Sequence, residues 1–377
     1  MWNNLSFDVL SFIFSFLSPD SLARARSTCK NWHTCGSNFI TQFKPHESKP
    51  WFLALPIRSY QKSCCYAHNP ITNNWFEIFL DFFPFTTTLK PIGPIGSLIL
   101  LRVTNSTTLQ LALCNPFTRQ FKYLPKLHVS RTNPACGVVI LEPNNFCYFP
   151  NFRIYVAGGM SEAKHGGATY EQTVEMYDSC VDTWKIVGSM LVEFSIRLTV
   201  WTPNENVCVE RTKGTTLYWV TSARAYSVIG FDVGNSCWRE FGVPLGDKLE
   251  FANLVRWNGG LGLVGGTCGG NVCVWEMSEE GDDKWCLVNE MPVELGLRLL
   301  CGKRNWEGVK CVSDEDAICL YREFGFGMVI CRKDRDLGKW EWIWVDGCGY
   351  IKGKKVLICP IRGVLVHPTL ASSSFFL

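Results

Sequence analysis

Residues 154–184 read IYVAGGMSEAKHGGATYEQTVEMYDSCVDTW, and this stretch decides the fold. Two short apolar runs, 154–157 and 174–177, have the length and the residue content of buried strands. A pair of glycines ends the first run, and Asp178 ends the second. Asp and Gly favour turns, because the Asp side chain bonds to nearby backbone N–H groups and Gly permits positive φ. Trp184 follows the turn, so the stretch predicts an antiparallel sheet in which the next strand begins with a large aromatic residue.

The same turn pattern recurs along the chain: a polar residue ends one strand, and six positions later an aromatic residue begins the next. The copies are NPITNNW (Asn69–Trp75), NPFTRQF (Asn115–Phe121), DSCVDTW (Asp178–Trp184), DVGNSCW (Asp232–Trp238) and two looser ones that end at Trp285 and Trp340. These six aromatic residues stand 46, 63, 54, 47 and 55 positions apart, with a mean of 53. Kelch blades have a period of about 50 residues. The chain from residue 51 onward therefore resembles a kelch-type β-propeller of six blades.

A four-stranded blade is too small to bury both of its faces, so blades must stack around an axis. The aromatic residue after each turn is expected to wedge between neighbouring blades. Trp340, Trp342 and Trp344 occupy alternate positions, so their side chains face the same side of one strand. They are expected to pack between blades; the less favoured alternative is an aromatic ladder that binds a ligand. Ring closure is expected to pair strands from both ends, for example Trp51–Leu55 beside Val356–Cys359.

The first fifty residues show a helical pattern instead. Residues 5–17 read LSFDVLSFIFSFL, in which Phe7, Phe12 and Phe14 lie off an apolar stripe at helical spacing. The stripe consists of Leu5, Val9, Leu10, Ile13, Phe16 and Leu17. A helix that is apolar on more than one side must be buried on two faces.

A second and a third helix are expected to complete a small bundle. Ser18 and Pro19 mark a helix start, and apolar residues continue at helical spacing from Leu22 to Trp32. A third short helix is expected around Phe39–Phe43. A bundle of about 45 residues buries little area, so its excess apolar surface implies a partner. Packing of the helices on the β domain is the alternative.

The run from Leu5 to Trp32, L-x-x-D-x-L-x-x-I-F-x-x-L-x-P-x-x-L-x-R-x-R-x-x-C-K-x-W, resembles an F-box. The resemblance implies a surface that docks on the Skp-type adaptor of a cullin–RING ubiquitin ligase. The positions that match the family pattern, and that are predicted to form this surface, are Leu5, Asp8, Leu10, Ile13, Phe14, Leu17, Pro19, Leu22, Arg26, Cys29 and Trp32. One position departs from the pattern, because Ser6 stands where the family usually has Pro.

The chain as a whole is similar to plant F-box/kelch-repeat proteins, a multidomain α plus all-β class. We expect a helical F-box domain over residues 1–44, a linker over 45–50 and a kelch-type propeller over 51–377. The resemblance implies the substrate-recognition subunit of an SCF-type E3 ubiquitin ligase, which binds a target protein and is not itself an enzyme. The alternative is a non-degradative propeller scaffold or transcriptional cofactor that binds a regulatory protein.

Composition argues against several other classes. A net charge of +3 is too small for an electrostatic grip on nucleic acid or lipid. The 19 Cys include no C-x-x-C pair and are expected to be reduced thiols. No motif predicts a catalytic residue, a cofactor or a metal site. The 13-residue apolar run at residues 5–17 is too short to span a membrane, so a cytoplasmic or nuclear protein is expected.

Two polar segments are candidates for substrate binding, because propellers present loops at their two faces. Residues 160–172 include Lys164, His165 and Tyr170, and a solvated hairpin without a binding role is the alternative. The second segment is Pro84–Ser97, which is rich in Pro and Gly.

Overall fold

Three helices, then six four-stranded antiparallel sheets with smaller elements in their connections, make up the described part of the chain. The computed structural model describes residues 5–17, 19–40, 49–57, 64–84, 89–104, 106–141, 151–163, 165–201, 207–211, 214–278, 284–324, 327–334, 338–351, 354–355 and 360–370. Each of the six sheets described has four strands, and together they form a β-propeller, which confirms the predicted class.

The N-terminal bundle has the helices α1 (Phe7–Ser15), α2 (Pro19–Arg26) and α3 (Lys30–Ile40). Ser6 caps α1, since its hydroxyl accepts a hydrogen bond from the N–H of Val9 at 3.4 Å. The expectation of continuous helix from Leu22 to Trp32 is wrong. The hydroxyls of Ser27 and Thr28 donate to the carbonyls of Arg24 and Ala25, both at 2.7 Å, and such side-chain bonds compete with helix.

Each blade runs from an innermost strand at the central axis to an outermost strand at the rim. In that order, blade 1 consists of β28 (Ile361–Val366), β1 (Trp51–Pro56), β2 (Cys64–Asn69) and β3 (Asn74–Phe79). Blade 2 consists of β4 (Leu89–Ile95), β5 (Leu98–Val103), β6 (Gln110–Asn115) and β7 (Gln120–Tyr123). Blade 3 consists of β8 (Ala135–Ile140), β9 (Phe152–Ala157), β12 (Thr173–Asp178) and β13 (Thr183–Ser189). Blade 4 consists of β14 (Val207–Arg211), β15 (Gly214–Thr221), β16 (Ser227–Asp232) and β17 (Cys237–Gly242). Blade 5 consists of β18 (Phe251–Trp257), β19 (Gly260–Gly266), β20 (Val272–Met277) and β21 (Trp285–Glu290). Blade 6 consists of β22 (Val309–Asp314), β23 (Ala317–Arg322), β24 (Gly327–Lys333) and β25 (Trp340–Asp346).

Smaller elements occupy the connections. They are the hairpins β10 (Met160–Glu162) with β11 (Ala168–Tyr170) and β26 (Tyr350–Ile351) with β27 (Lys354–Lys355), and the helices α4 (Val192–Val200) and α5 (Val293–Leu300).

The ring closes through a strand from the C-terminal end. Strand β28 pairs with β1, with Trp51 opposite Val366 and Pro56 opposite Ile361. Closure by both ends is therefore confirmed, but the expected partner Val356–Cys359 is wrong, and those four residues lie outside the described ones. The inner strand of each blade contacts the inner strands of both neighbouring blades, so the circle is continuous.

The outer hairpin turns repeat one geometry in four blades. A side-chain oxygen of the first turn residue accepts the N–H two positions later, at 2.9 to 3.0 Å, in Asn69, Asn115, Asp178 and Asp232. The fifth turn residue has a positive φ of 53° to 60°, in Asn73, Arg119, Asp182 and Ser236. The local hydrogen bond fixes the turn that the sequence repeat predicts.

The aromatic residue after each turn lies between blades, as expected. The indole N–H of Trp238 donates to the carbonyl of Ser189 at 3.1 Å, and that of Trp285 donates to Gly242 at 2.7 Å. Each acceptor is the last residue of the preceding blade's outer strand, and Trp75 repeats the contact with Asp346 across the closure. In blade 6, Trp340, Trp342 and Trp344 pack against a buried cluster, which agrees with the favoured packing role.

The propeller has two distinct faces. The chain enters β1 at Trp51 and leaves β28 at Val366, on the side that carries the outer hairpin turns; we call this the F-box face. The connections between blades, with α4 and α5, and the hairpin β10–β11 lie at the opposite end of the strands; we call this the distal face. Beyond β28, Leu370 packs against the buried cluster of the N-terminal bundle.

Candidate protein-docking surfaces

Helix α1 is apolar on both sides, and one of these sides is exposed. Leu10 and Phe14 are fully buried against α2 and α3. Phe12 and Phe16 lie on another side and are 67% and 74% exposed, with their rings 5.0 Å apart in an edge-to-face contact. Phe7 is also largely exposed. Neighbouring exposed aromatic side chains of this kind indicate a surface that another protein covers.

The structure divides the residues that were predicted to contact the adaptor. Leu10, Phe14 and Leu22 are buried in the bundle itself, where they stabilise its fold; their contact with an adaptor stays a prediction. The partly buried members that pack around this core are Leu5, Ile13, Leu17 and Trp32. Among the remaining members, Asp8 is exposed, Arg26 and Cys29 are half-buried, and Pro19 begins α2.

The predicted set did not include the exposed aromatic residues. Phe7 and Phe12 were seen to lie off the apolar stripe, and that departure was the available signal. Phe16 was assigned to the stripe, but it follows the last residue of α1 and points outward. Together, Phe12 and Phe16 define what we call the α1 aromatic surface.

The hairpin β10–β11 projects from the distal face of blade 3. His165 at its tip is exposed and Tyr170 is half-buried, whereas Lys164 lies outside the described residues. The hydroxyl of Ser195 in α4 donates to the carbonyl of Glu171 at 2.6 Å, which fastens the base of the hairpin. Within the predicted loop, Met160–Glu162 and Ala168–Tyr170 therefore pair as a hairpin on the distal face, and the binding role of the loop stays a prediction.

A glycine pair allows the hairpin to leave the blade. Gly158 and Gly159 have φ values of 69° and 93°, which residues other than Gly rarely adopt. A Cβ on Gly159 would stand 2.8 Å from the carbonyl oxygen of Thr132. The N–H of Gly159 donates to the Thr199 hydroxyl at 2.7 Å, so α4 holds this bend as well.

A fully buried ion pair supports the same region. The Arg131 guanidinium contacts the Glu175 carboxylate at 2.6 Å, and both side chains are 0% exposed. The same carboxylate accepts the backbone N–H of His128 at 2.7 Å and of Val129 at 3.1 Å. Burial lowers the pKa of Arg131, and the adjacent Glu175 carboxylate opposes that shift. The pair therefore anchors the connection between blades 2 and 3 to β12.

The distal face also exposes apolar side chains on several connections. Those with at least a third of their surface exposed are Leu191, Val192, Val200 and Trp201 around α4, Leu245 after β17, Val293 and Leu297 in α5, and Phe324 after β23. Exposed apolar groups on this scale suit contact with another protein. The exposed apolar surface of this face therefore extends well beyond the β10–β11 hairpin.

The second predicted loop is instead part of a blade. Residues 85–88 lie outside the described ones, but Leu89–Ile95 forms β4, the inner strand of blade 2. Pro91 and Gly93 bracket a register shift in its pairing with β5, which explains how Pro and Gly are tolerated there. All six inner strands line a central cavity of about 440 Å³.

The described residues hold no group of three His, Cys, Asp or Glu side chains arranged to bind a metal ion. Burial raises the pKa of Cys65, Cys114 and Cys319, so these thiols remain protonated. None of the helices within the described ranges is long and apolar enough to cross a bilayer.

Comparison with protein families agrees with this architecture. Residues 2–41 match the F-box domain and residues 153–191 match the kelch motif. The chain carries an F-box and a kelch motif. The F-box match covers the helical bundle, and the kelch match covers β9 to β13, where the glycine pair and Trp184 lie.

Several Arabidopsis thaliana proteins are similar to this F-box/kelch chain. "F-box/kelch-repeat protein At3g61590" is 22% identical over 358 residues, which cover 89% of this chain and 82% of the relative. "F-box protein At5g49610" is 23% identical over 297 residues, or 75% and 78% of the two chains. "SKP1-interacting partner 15" is 38% identical over 148 residues, or 33% of this chain and 38% of the relative.

Proposed function

We propose that this chain is the substrate-recognition subunit of an SCF-type ubiquitin ligase. Residues 1–44 would form the F-box domain, 45–50 the linker and 51–377 the substrate-binding propeller. The F-box docks on a Skp-type adaptor, and through it on a cullin, while the propeller holds a target protein. Such a role requires the cytoplasm or the nucleus as the working compartment.

The α1 aromatic surface carries this proposal. Phe12 and Phe16 are the most exposed of the large apolar side chains on α1. Exposed aromatic side chains are typical anchors of protein interfaces, where a few residues provide most of the binding free energy. The name of the relative "SKP1-interacting partner 15" supports an adaptor of the same kind as the partner.

The arrangement of the two faces supports a bridging role. The chain joins β1 at the F-box face, whereas the exposed apolar groups and the β10–β11 hairpin lie on the distal face. A target bound at the distal face and an adaptor bound at α1 therefore occupy separate surfaces. Tethering raises the effective concentration of the target near the ubiquitin-transferring enzyme, so this chain needs no bond chemistry of its own.

The second candidate is a non-degradative scaffold, in which the propeller binds a regulatory protein and ligase recruitment is incidental. The scaffold role would use the same distal face, so a measurement of binding to the propeller does not distinguish a scaffold from a ligase receptor. Turnover of the target does: if turnover persists when adaptor binding is abolished, the scaffold role is favoured.

The test is a binding experiment between the full-length chain and a purified plant Skp-type adaptor. Replacement of Phe12 and Phe16 by Asp, alone and together, should weaken binding by at least about 30-fold per site, the effect of losing an interface anchor of about 2 kcal/mol. Both side chains are exposed, so the variants should fold like the wild type. Circular dichroism checks this.

The matched control is Ile186→Asp, which places the same charge on an exposed apolar position of the outer strand β13. It should leave adaptor binding unchanged. Replacement of Leu10 is unsuitable as a test, because this side chain is fully buried and its loss would unfold the bundle. Absence of binding by the wild type, or equal binding by the Phe12 and Phe16 variants, contradicts the proposal.

A further inference from the structure

The repeated architecture allows equivalent positions in the six blades to be compared. The second residue of each inner strand lies at the distal end of its blade, because inner strands begin at the distal face. Among these residues, Cys208, Lys310 and Arg362 line the central cavity. In blades 6, 1 and 2 this residue is Lys310, Arg362 and Lys90; in blades 3, 4 and 5 it is Cys136, Cys208 and Ala252. At this level of the inner strands, three successive blades carry a cation and the other three carry a neutral residue. We call Lys90, Lys310 and Arg362 the basic arc.

The basic arc lacks full compensation by acidic groups. Lys310 contacts the Glu323 carboxylate at 3.7 Å. Within the described ranges, Lys90 and Arg362 have no carboxylate partner, and the buried Nε of Arg362 has no hydrogen-bond acceptor. Arg102 on β5 adds a fourth cation, whose N–H groups donate to the neutral oxygens of Asn133 and Pro134.

The pKa of Lys90 reports this imbalance. Burial first, and then repulsion by Arg362, Arg102 and Lys310, lowers it from 10.5 to about 8, and Glu323 opposes the shift only in part. Partly buried like charges that repel one another destabilise the folded chain, so their presence is typical of a binding site. Cationic groups at one end of a cavity also attract anionic ligands by focusing the field. The acidic residues that line this cavity, Asp314, Glu315 and Asp316, lie at its opposite end, where β22 turns into β23.

We propose that the basic arc binds an acidic segment of the target protein, through Asp or Glu carboxylates that contact Lys90, Lys310 and Arg362. This rests on the proposed function, since it names the class of target that the propeller holds. A cavity of about 440 Å³ admits a few side chains and not a folded domain, so the ligand is an extended segment laid across the distal face. Phe324, next to Glu323, is 55% exposed and offers an apolar contact beside the arc.

The test begins with a library of random dodecapeptides displayed on phage and selected on the full-length chain. Selected peptides should be enriched in Asp and Glu. One of them, made synthetically with a fluorescein label, is then titrated by fluorescence anisotropy against the wild type and against Lys90→Gln and Arg362→Gln. Each variant should bind about tenfold more weakly, because a charged hydrogen bond is lost. A peptide with Asn and Gln in place of Asp and Glu should lose affinity similarly.

The matched control is Lys185→Gln, which removes the same charge from the outer strand β13 and should leave binding unchanged. Selected peptides without an excess of acidic residues, or no selected peptides at all, would overturn the proposal. So would a phosphoserine version of the peptide that binds more than about tenfold tighter than the carboxylate version, since that would assign the arc to phosphate.

The adaptor-binding experiment distinguishes failure of the basic-arc proposal from failure of the proposed function. If the chain binds the adaptor but no acidic peptide, the basic-arc proposal falls and the ligase-receptor proposal stands. If the chain binds acidic peptides through the arc but does not bind the adaptor, the ligase-receptor role falls and the distal site belongs to a scaffold.

Discussion

Replacement of Glu175 by Gln should be among the most destabilising single-atom changes in the propeller. The Glu175 carboxylate is fully buried and accepts three hydrogen bonds, from the Arg131 guanidinium at 2.6 Å and from the backbone N–H groups of His128 and Val129 at 2.7 and 3.1 Å. The amide of Gln offers one acceptor oxygen, and its NH₂ group would face a donor. The Arg131 charge would also stay buried without its contacting counter-charge, and only the more distant Glu171 carboxylate would still favour it.

The expected loss in the free energy of unfolding is about 3–5 kcal/mol, the typical cost of removing one partner from a buried ion pair. This is a large share of the roughly 5–15 kcal/mol that stabilises an ordinary domain. Urea denaturation followed by tryptophan fluorescence measures it. The double variant Arg131→Met, Glu175→Met removes both charges and should lose less stability than Glu175→Gln alone.

A loss below about 1 kcal/mol for Glu175→Gln would refute this reasoning, because a buried unpaired guanidinium cannot be accommodated so cheaply. A double variant with a loss equal to the sum of the Arg131→Met and Glu175→Met losses would refute it too, because the two residues would then act independently.

Three further predictions concern the ring, the hairpin and the basic arc. Trp238→Phe removes the N–H that donates to Ser189 and should lower the free energy of unfolding by about 1 kcal/mol in urea denaturation; unchanged stability would mean that this bond contributes nothing. Deletion of residues 162–168 removes a hairpin that lies outside the four strands of blade 3, so Tm should fall by less than about 3 °C, and a larger fall in calorimetry would show that the hairpin holds the blade. Lys90 has a pKa near 8 in the folded chain and an ordinary value of 10.5 when unfolded, so the folded form loses its proton first. The wild type should therefore gain up to about 1 kcal/mol of stability per pH unit between about pH 8 and pH 10, whereas Lys90→Gln should not; parallel profiles for the two proteins would contradict the assigned shift.

The repeat was predictable from the sequence because its determinants are local. Asn69 and Asp178 each bond to backbone only two positions away, and the aromatic residue that follows each turn has a fixed distance from it. A pattern contained within seven residues can be recognised wherever it occurs. The wedge role of Trp184 and Trp238 then follows, because each blade must bury its face against the next.

The closure was not predictable in detail, because its partners are far apart in the chain. Both 356–359 and 361–366 are apolar runs with strand character, and local propensity does not distinguish them. Strand β1 pairs with residues 361–366, with Trp51 opposite Val366, because closure of the ring brings these two segments together.

The candidate docking surfaces could likewise be predicted only in part from the sequence. The helical period of residues 5–17 identifies an apolar helix, but contact with α2 and α3 decides that Phe14 is buried and Phe16 exposed. Lys90, Lys310 and Arg362 are separated by up to 272 positions and share no motif. They become a group only because the propeller places equivalent residues of successive blades side by side.

Hydrogen–deuterium exchange of the full-length chain, with and without a purified plant Skp-type adaptor, tests the central claim most directly. The account predicts that the adaptor protects the backbone amides of residues 5–17, where the α1 aromatic surface lies, and leaves exchange in β10–β11 and α5 unchanged. Protection on the distal face with none in α1 would show that the adaptor binds elsewhere. No protection at all would show that the chain does not bind this adaptor, and either result would contradict the proposed ligase-receptor role.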